Sequence, residues 1–133
     1  MSATADSVAT HGSRTVTVLT WVLRILVAGV FLPAAAMKLT GAPMMIAEFQ
    51  QIGLGEWFRV FTGALELIGG VAVLLPAVSP LGAVLLLFVD AGACIAQVRV
   101  LHQDWIHTIV IGTLLAALIY LQRARIQVRR GVA

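Results

Sequence analysis

RVFTGALELIGGVAVLLP, residues 59–76, is the stretch that decides the fold, because it predicts a membrane-spanning helix with one carboxylate, Glu66, near its middle. A charge at mid-bilayer costs roughly 2.5 kcal/mol or more, so such a residue turns towards neighbouring helices and is paired, protonated or put to use. Gly63, Gly69 and Gly70 flank this glutamate. Because transmembrane helices pack most closely where side chains are small, we expect the span to lie against its neighbours with Glu66 facing them.

The composition of the chain is that of a single-domain membrane protein. Of its 133 residues, 60% are hydrophobic and 11% are charged, whereas a soluble domain carries about 25% charged residues. The mean hydropathy is +1.00. The single cysteine, Cys94, cannot form an internal disulfide or carry dithiol chemistry. The N-terminal residues are polar and lack the features of a removable signal peptide, so we expect the first apolar run to remain as an anchor.

Apolar runs long enough to cross a bilayer recur along the chain. The predicted spans are residues 16–37, 57–76, 81–98 and 105–121. In the loop between the first two, Pro43 starts an apolar pattern that predicts a short helix lying on the membrane surface. Short connections between the later spans favour antiparallel neighbours. The predicted fold is therefore an all-α membrane protein, an antiparallel bundle of four transmembrane helices.

Basic residues outside the spans set the predicted orientation. An even number of spans puts both termini on one side, and most of the basic residues outside the spans lie there: Arg14, Arg123, Arg125, Arg129 and Arg130. The positive-inside rule then places both termini in the cytoplasm and the protein in the cell inner (plasma) membrane. We divide the chain into a mobile N-terminal tail at 1–15, the bundle at 16–121 and a basic tail at 122–133.

The basic C-terminal tail has two interpretations, an orientation signal or a contact for anionic lipid headgroups. The tail is short, lacks interleaved aromatic residues and lies beside a membrane. We therefore expect the lipid bilayer as a partner and no nucleic-acid binding.

Four charged residues assigned to the membrane interior have formal charges that sum to zero: Arg24, Lys38, Glu66 and Asp90. Arg59, at the outer end of the second span, is counted with the loops. Counting 1.5 Å per residue places Arg24, Glu66 and Asp90 at similar depths, roughly 12–15 Å from a membrane surface. We expect the two acids to meet the guanidinium in one dry cavity, where the second carboxylate shares it or takes up a proton. These three are the candidate catalytic residues. The alternative is that such buried pairs only fix the register of the helices.

Further side chains are candidates for binding a small molecule. Trp21 and Phe31 recur at helical spacing with Arg24 and share its face of the first span. The aromatic rings would then line the same cavity as the guanidinium.

A second set of candidate binding residues belongs to the outer half of the bundle. Cys94 and Gln97 follow Asp90 at i+4 and i+7, which gives the third span one polar stripe. Lys38 closes the first span, can extend to the interface, and is expected near Gln97 and His107. Alternative interpretations are that Cys94 is a small packing residue and His107 an interface anchor.

We predict no metal site, because His102 and His107 are five residues apart and do not share a helical face. No cofactor motif is evident either, since the chain lacks the patterns for haem, iron–sulfur clusters or flavin.

Several of these residues together resemble the DoxX family of small four-helix membrane proteins. The shared pattern is Arg24 in the first span, Lys38–Leu39 at its end, and residues 63–70, GALELIGG, in the second. The resemblance covers most of residues 23–121 and carries over Arg24, Lys38, Glu66 and Gly70. It implies a link to redox complexes, since the family is named after a subunit of a thiosulfate:quinone oxidoreductase.

The chain departs from the family pattern at two points. Ala35 stands where relatives have a glycine before the lysine, and the third span carries Asp90 where relatives often have small residues ending in Thr-His. The extra acid indicates a specialised member.

Three hypotheses about function remain open. The first, which we favour on family grounds, is a redox-associated membrane subunit that binds a quinone or similar lipid and takes electrons from a partner protein. The second is a stand-alone enzyme doing acid–base chemistry on a lipophilic substrate, such as isomerisation, cyclisation or epoxide opening. The third is an assembly partner without chemistry, and a homo-oligomer is possible under each. Activity of the purified chain without a partner would separate the first two.

Overall fold

Helices dominate the described structure. The computed structural model describes the backbone of residues 2–102 and 105–132 and the side chains of 14–102 and 105–123. Its helices are α1 (Ser2–Thr40), α2 (Pro43–Ile52), α3 (Glu56–Leu74), α4 (Ser79–Ala96), a π-helical turn (Gln97–Leu101) and α5 (Ile106–Val132). No strand occurs in the described part of the backbone, so the predicted all-α class is confirmed.

Four helical segments are long and apolar enough to cross a membrane, as the sequence predicts. They cover Arg14–Thr40, Glu56–Leu74, Ser79–Leu101 and Ile106–Arg123. Because α1 begins at Ser2, the predicted N-terminal tail has a helical backbone from that residue onward, and its mobility stays a prediction. The side chains of residues 1–13, Arg125, Arg129 and Arg130 lie outside the described residues.

Proline and glycine set the boundaries of the short helix α2. Pro43 lies in its first turn, where the missing N–H removes no helical hydrogen bond. Gly53 ends the helix in the left-handed conformation, with φ 81°, and its N–H donates to the Phe49 carbonyl. The expected helix therefore exists, and it packs on α3 and on the π-helical turn. Its position on the membrane surface stays a prediction.

The four long helices surround an apolar core. α1 contacts α3, α3 contacts α4, α4 contacts α5, and α5 returns to α1. The buried apolar side chains of this core are Val27, Phe31, Val73, Ala83, Leu86, Leu115 and Leu118. Large apolar residues such as Phe88 and Ile25 remain exposed, so much of the apolar surface is available to lipid.

Two glycines of α3 show how it lies against α1. A Cβ at Gly63 would lie 3.0 Å from the Cβ of Lys38, and a Cβ at Gly70 would lie 2.7 Å from Cδ2 of Leu32. As residue numbers rise along α3 they fall along α1, so Glu66 lies at a level between Lys38 and Leu32. The three glycines around the glutamate are buried, which confirms the predicted packing face.

α3 and α4 come very close at Gly82. A Cβ there would lie 2.9 Å from the backbone nitrogen of Val73 and 3.0 Å from the carbonyl oxygen of Gly69. Both are backbone atoms, so they cannot turn aside as the end of a flexible side chain can. The approach of the two helices therefore requires glycine at this position.

We expect Gly82→Ala to destabilise the bundle by about 1–3 kcal/mol, because the added methyl group overpacks a backbone contact. Gly92 lies on the same helix and has open space around its Cβ position, which makes Gly92→Ala a matched control. That control should leave stability unchanged or raise it by up to about 1 kcal/mol. Unfolding by SDS in mixed micelles measures both, and equal effects would contradict the close approach.

Candidate functional site

Glu66 forms an ion pair with Lys38. The Nζ of Lys38 lies 3.1 Å from Oε2 of Glu66, and the two side chains are 12% and 6% exposed. The lysine therefore lies inside the bundle, which corrects the expectation that it extends to the interface. Glu66 does not take Arg24 as its partner either, contrary to the sequence-based prediction. The pair joins α1 to α3 and compensates both buried charges.

Arg24, Ser79 and Gln122 form a second buried group, which we call the Arg24 cluster. The Nε of Arg24 donates to Ser79 Oγ at 3.2 Å. With the Gln122 amide oriented so that its oxygen faces the guanidinium, that oxygen accepts from Arg24 Nη2 at 2.9 Å and from Ser79 Oγ at 2.7 Å. The guanidinium carbon also lies 4.7 Å from the ring centroid of Trp21. The cluster thus joins α1, α4 and α5.

The Arg24 cluster lies far from Asp90. Ser79, which Arg24 contacts, precedes Asp90 by eleven residues on α4, a rise of roughly 16 Å. The prediction that Arg24, Glu66 and Asp90 share one cavity is therefore wrong. The bundle instead holds polar groups at two separate levels.

Glu66 and Asp90 lie at the same level on neighbouring helices. A Cβ at Gly69 of α3 would lie 2.6 Å from Cδ2 of Leu86 on α4, and contacts run in opposite order along the two helices. Asp90 is one turn beyond Leu86, and Glu66 is just under one turn before Gly69, so the acids come level. Asp90 is 7% exposed and Glu66 is 5% exposed. The two acids therefore lie at equal depth, as predicted, but Arg24 does not lie beside them.

Asp90, Gln97 and His107 form the group that we call the Asp90 cluster. Asp90 points at α5, since a Cβ at Gly112 would lie 3.0 Å from its Oδ2. His107, on the same helix as Gly112, is close enough to Asp90 to interact with it electrostatically. Within the part of the chain that the structure describes, Asp90 makes no ion pair and no side-chain hydrogen bond.

Gln97 connects the π-helical turn to α5. Its Nε2 lies 3.1 Å from Nε2 of His107, so the amide donates and the imidazole nitrogen accepts in this orientation. The Oε1 of Gln97 is buried and has no hydrogen-bond partner among the described residues. Gln97 and His107 therefore contact each other, as predicted. Lys38, which was expected beside them, pairs with Glu66 instead.

A cavity of about 540 Å³, open to the surroundings, lies beside the junction of α4 and the π-helical turn. It is lined by Cys94, Ile95, Val98 and Arg99. Cys94 is one helical turn from Asp90, so the cavity adjoins the Asp90 cluster. Of the predicted stripe of Asp90, Cys94 and Gln97, Cys94 alone is among these lining residues.

Arg59 is a buried residue whose role the sequence analysis missed, since it was counted with the loop charges at the outer end of the second span. Its Nη1 donates to the backbone carbonyl of Lys38, and its Nη2 lies 3.1 Å from Oε1 of Glu56. The guanidinium therefore satisfies a carbonyl near the C-terminal end of α1, where a positive charge is favourable. The i, i+3 spacing of Glu56 and Arg59 is the signal that could have indicated this.

The remaining predicted residues lie away from the Asp90 cluster. Phe31 is 5% exposed and belongs to the apolar core, while Trp21 is 38% exposed beside Arg24. Ser79 and Gln122 had no direct signal in the sequence, because neither carries a charge that distinguishes it from its neighbours. Among the described residues, no group of three His, Cys, Asp or Glu side chains is arranged to hold a metal ion.

A family model described as the DoxX-like family matches residues 22–121. The chain belongs to the DoxX-like family. The match begins just before Arg24 and extends through all four spans, which confirms the resemblance drawn from the residues. No significant match was found among curated proteins or among solved structures. This DoxX-like protein is therefore a multi-pass membrane protein.

We expect Lys38→Met to destabilise this DoxX-like protein by about 3–5 kcal/mol, because it leaves the Glu66 carboxylate buried without its partner. The double variant Lys38→Met, Glu66→Met removes both charges and should be more stable than Lys38→Met alone. SDS unfolding in mixed micelles measures the double-mutant cycle. Additive losses from the two single variants would contradict the ion pair.

We expect Arg59→Met to cost about 1–3 kcal/mol, because the carbonyl near the end of α1 loses a charged hydrogen-bond donor. Arg99 is an exposed arginine, so Arg99→Met is the control for loss of charge and should change stability by less than about 0.5 kcal/mol. The same unfolding assay compares them. A neutral Arg59→Met variant would show that the contact is incidental.

Proposed function

We propose that this DoxX-like protein binds the polar head of a lipophilic, quinone-type molecule at the Asp90 cluster and exchanges protons with it, as the membrane subunit of a redox system. The observation that carries the proposal is the position of Asp90. It is a buried acid at mid-span that stands apart from the Lys38–Glu66 ion pair. An ionisable side chain in such a place marks a functional site by default.

The ion pair supports the proposal by accounting for the other buried acid. Glu66 and Lys38 compensate each other and hold α1 against α3. Asp90 is left to interact with His107, which is itself held by Gln97. A carboxyl group and an imidazole in one site are the groups that most often give and take protons in enzymes.

The cavity beside Cys94 supplies a route for a lipid-soluble ligand. Ile95 and Val98 give it an apolar lining, and Arg99 gives it one cationic edge. Sites for lipophilic molecules combine apolar walls with a few polar groups that orient the head. We infer that the apolar part of the ligand rests in the cavity while its head reaches Asp90 past Cys94.

In this proposal the electrons come from a partner protein and the protons pass through this chain. Reduction of a quinone takes up electrons and protons together, so a proton-exchanging group beside the quinone head is needed. Asp90 and His107 would serve that need. The partner would supply the redox centre, for which the chain carries no sequence motif.

The proposal includes an orientation. The helices would form an antiparallel bundle in the plasma membrane with both termini in the cytoplasm. Arg14 and the arginines that follow residue 122 favour this by the positive-inside rule. The opposite order of contacts along α1 and α3, and along α3 and α4, supports the antiparallel arrangement. The Asp90 cluster would then open towards the outer side.

A second candidate function is a stand-alone enzyme that performs acid–base chemistry on a lipophilic substrate. Asp90 takes no part in the Lys38–Glu66 ion pair. This favours the enzyme hypothesis, because a carboxyl outside an ion pair can change its protonation state during a reaction. Conversion of a lipophilic substrate by the purified chain, with no partner, would favour the enzyme over the redox subunit. An assembly role alone would leave the Asp90→Asn variant without a binding defect.

The lone cysteine provides the test. A short-chain quinone analogue should slow alkylation of Cys94 by N-ethylmaleimide, because the cysteine lines the cavity. Asp90→Asn should raise the quinone concentration needed for half protection about tenfold, equivalent to about 1.4 kcal/mol. Glu48→Gln makes the same chemical change on α2 and should match wild type. If no quinone protects Cys94, or if Asp90→Asn protects as well as wild type, the proposal fails.

A further inference from the structure

We infer that the ligand of the Asp90 cluster carries a hydroxyl group that donates a hydrogen bond to Oε1 of Gln97. This inference rests on the proposed function and specifies its ligand as a lipophilic phenol or alcohol. For a quinone-type molecule, it predicts that the reduced, hydroxyl-bearing form binds more tightly than the oxidised form. The observation is that this buried oxygen has no donor among the described residues, while the amide nitrogen beside it is engaged by His107.

A buried amide oxygen is seldom left without a donor, because it loses its water on burial and gains nothing in return. The described side chains near Gln97 do not supply one. The imidazole nitrogen that faces Gln97 lies 3.1 Å from the amide nitrogen, and in the tautomer that accepts this hydrogen bond it has no hydrogen to donate to Oε1. Asp90, when ionised, can only accept. Within the cluster the acceptors therefore outnumber the donors, and the guanidinium of Arg99 belongs to the exposed edge of the cavity. A hydroxyl donor complements the cluster better than an ether or a ketone does.

The backbone at this point also indicates a binding role. Gln97 is the first residue of the π-helical turn, and π-helical turns within longer helices occur frequently at functional sites. Gln97 and Asp90 are seven residues apart and share one side of α4. The residues that line the cavity beside Cys94 come both before and after Gln97 along the chain. A ligand in that cavity would come within reach of both acceptors.

The test uses two probes that differ only in the hydrogen-bond donor, 2-naphthol and 2-methoxynaphthalene. Each is titrated against the full-length protein in micelles, with protection of Cys94 from N-ethylmaleimide as the readout. We expect 2-naphthol to protect at a concentration about tenfold lower than its methyl ether. The ether partitions more strongly into micelles, so partitioning works against this result.

Gln97→Met tests whether the oxygen is responsible. This variant keeps the length of the side chain and removes the acceptor, so the preference for 2-naphthol should disappear. Gln51→Met changes an exposed glutamine of α2 and should retain the preference for 2-naphthol. If Gln97→Met does not fold, Gln97→Glu keeps an acceptor at the same place and should retain the preference. Loss of the preference in Gln97→Glu would overturn the inference.

Other results separate the inference from the proposed function. Equal protection by both probes, or a preference for the ether, would overturn the hydroxyl donor. The proposed function would still stand if the quinone analogue protects Cys94 in an Asp90-dependent manner. If neither the quinone nor the two naphthalenes protect the cysteine, the proposed site fails and the inference fails with it.

Discussion

The ion pair between Lys38 and Glu66 is the interaction on which the arrangement of the bundle depends. Each charge alone would carry a large desolvation cost inside a membrane, and together they bring the C-terminal part of α1 to the middle of α3. Arg59 also stabilises the contact between α1 and α3, because its guanidinium donates a hydrogen bond to the backbone carbonyl of Lys38. Because Glu66 is compensated by Lys38, Asp90 is left as a buried acid outside this ion pair.

Hydropathy and periodicity were sufficient to predict the spans and their buried faces. Arg24, Ala28, Phe31 and Ala35 share one face by spacing, and all four are buried. The level of Arg24 was not predictable in the same way, because depth was counted from the N-terminal end of its span. The membrane segment of α1 has 27 residues against 19 for α3. Helices of such different length cannot be aligned from sequence unless a contact at one end is known.

The family motif and the proposed site involve different residues. Glu66 and its partner Lys38 both belong to the residues on which the resemblance to the family was drawn. Asp90 is one of the points at which the sequence was interpreted as departing from that pattern. We interpret the shared residues as the framework of the bundle and the additional acid as the source of its particular chemistry. Gln97 was predicted from its spacing, but the π-helical turn that it begins was not, because hydropathy does not distinguish π from α turns.

The apolar core between the two polar clusters has a consequence for transport. Leu86 lies between Ser79 and Asp90 on α4, and Leu115 and Leu118 lie between the corresponding levels of α5. All three leucines are fully buried, and they form an insulating layer rather than a water-filled channel. A proton taken up at Asp90 would return to the side from which it came. In the proposed function, the protons that reach the ligand would therefore not cross the membrane.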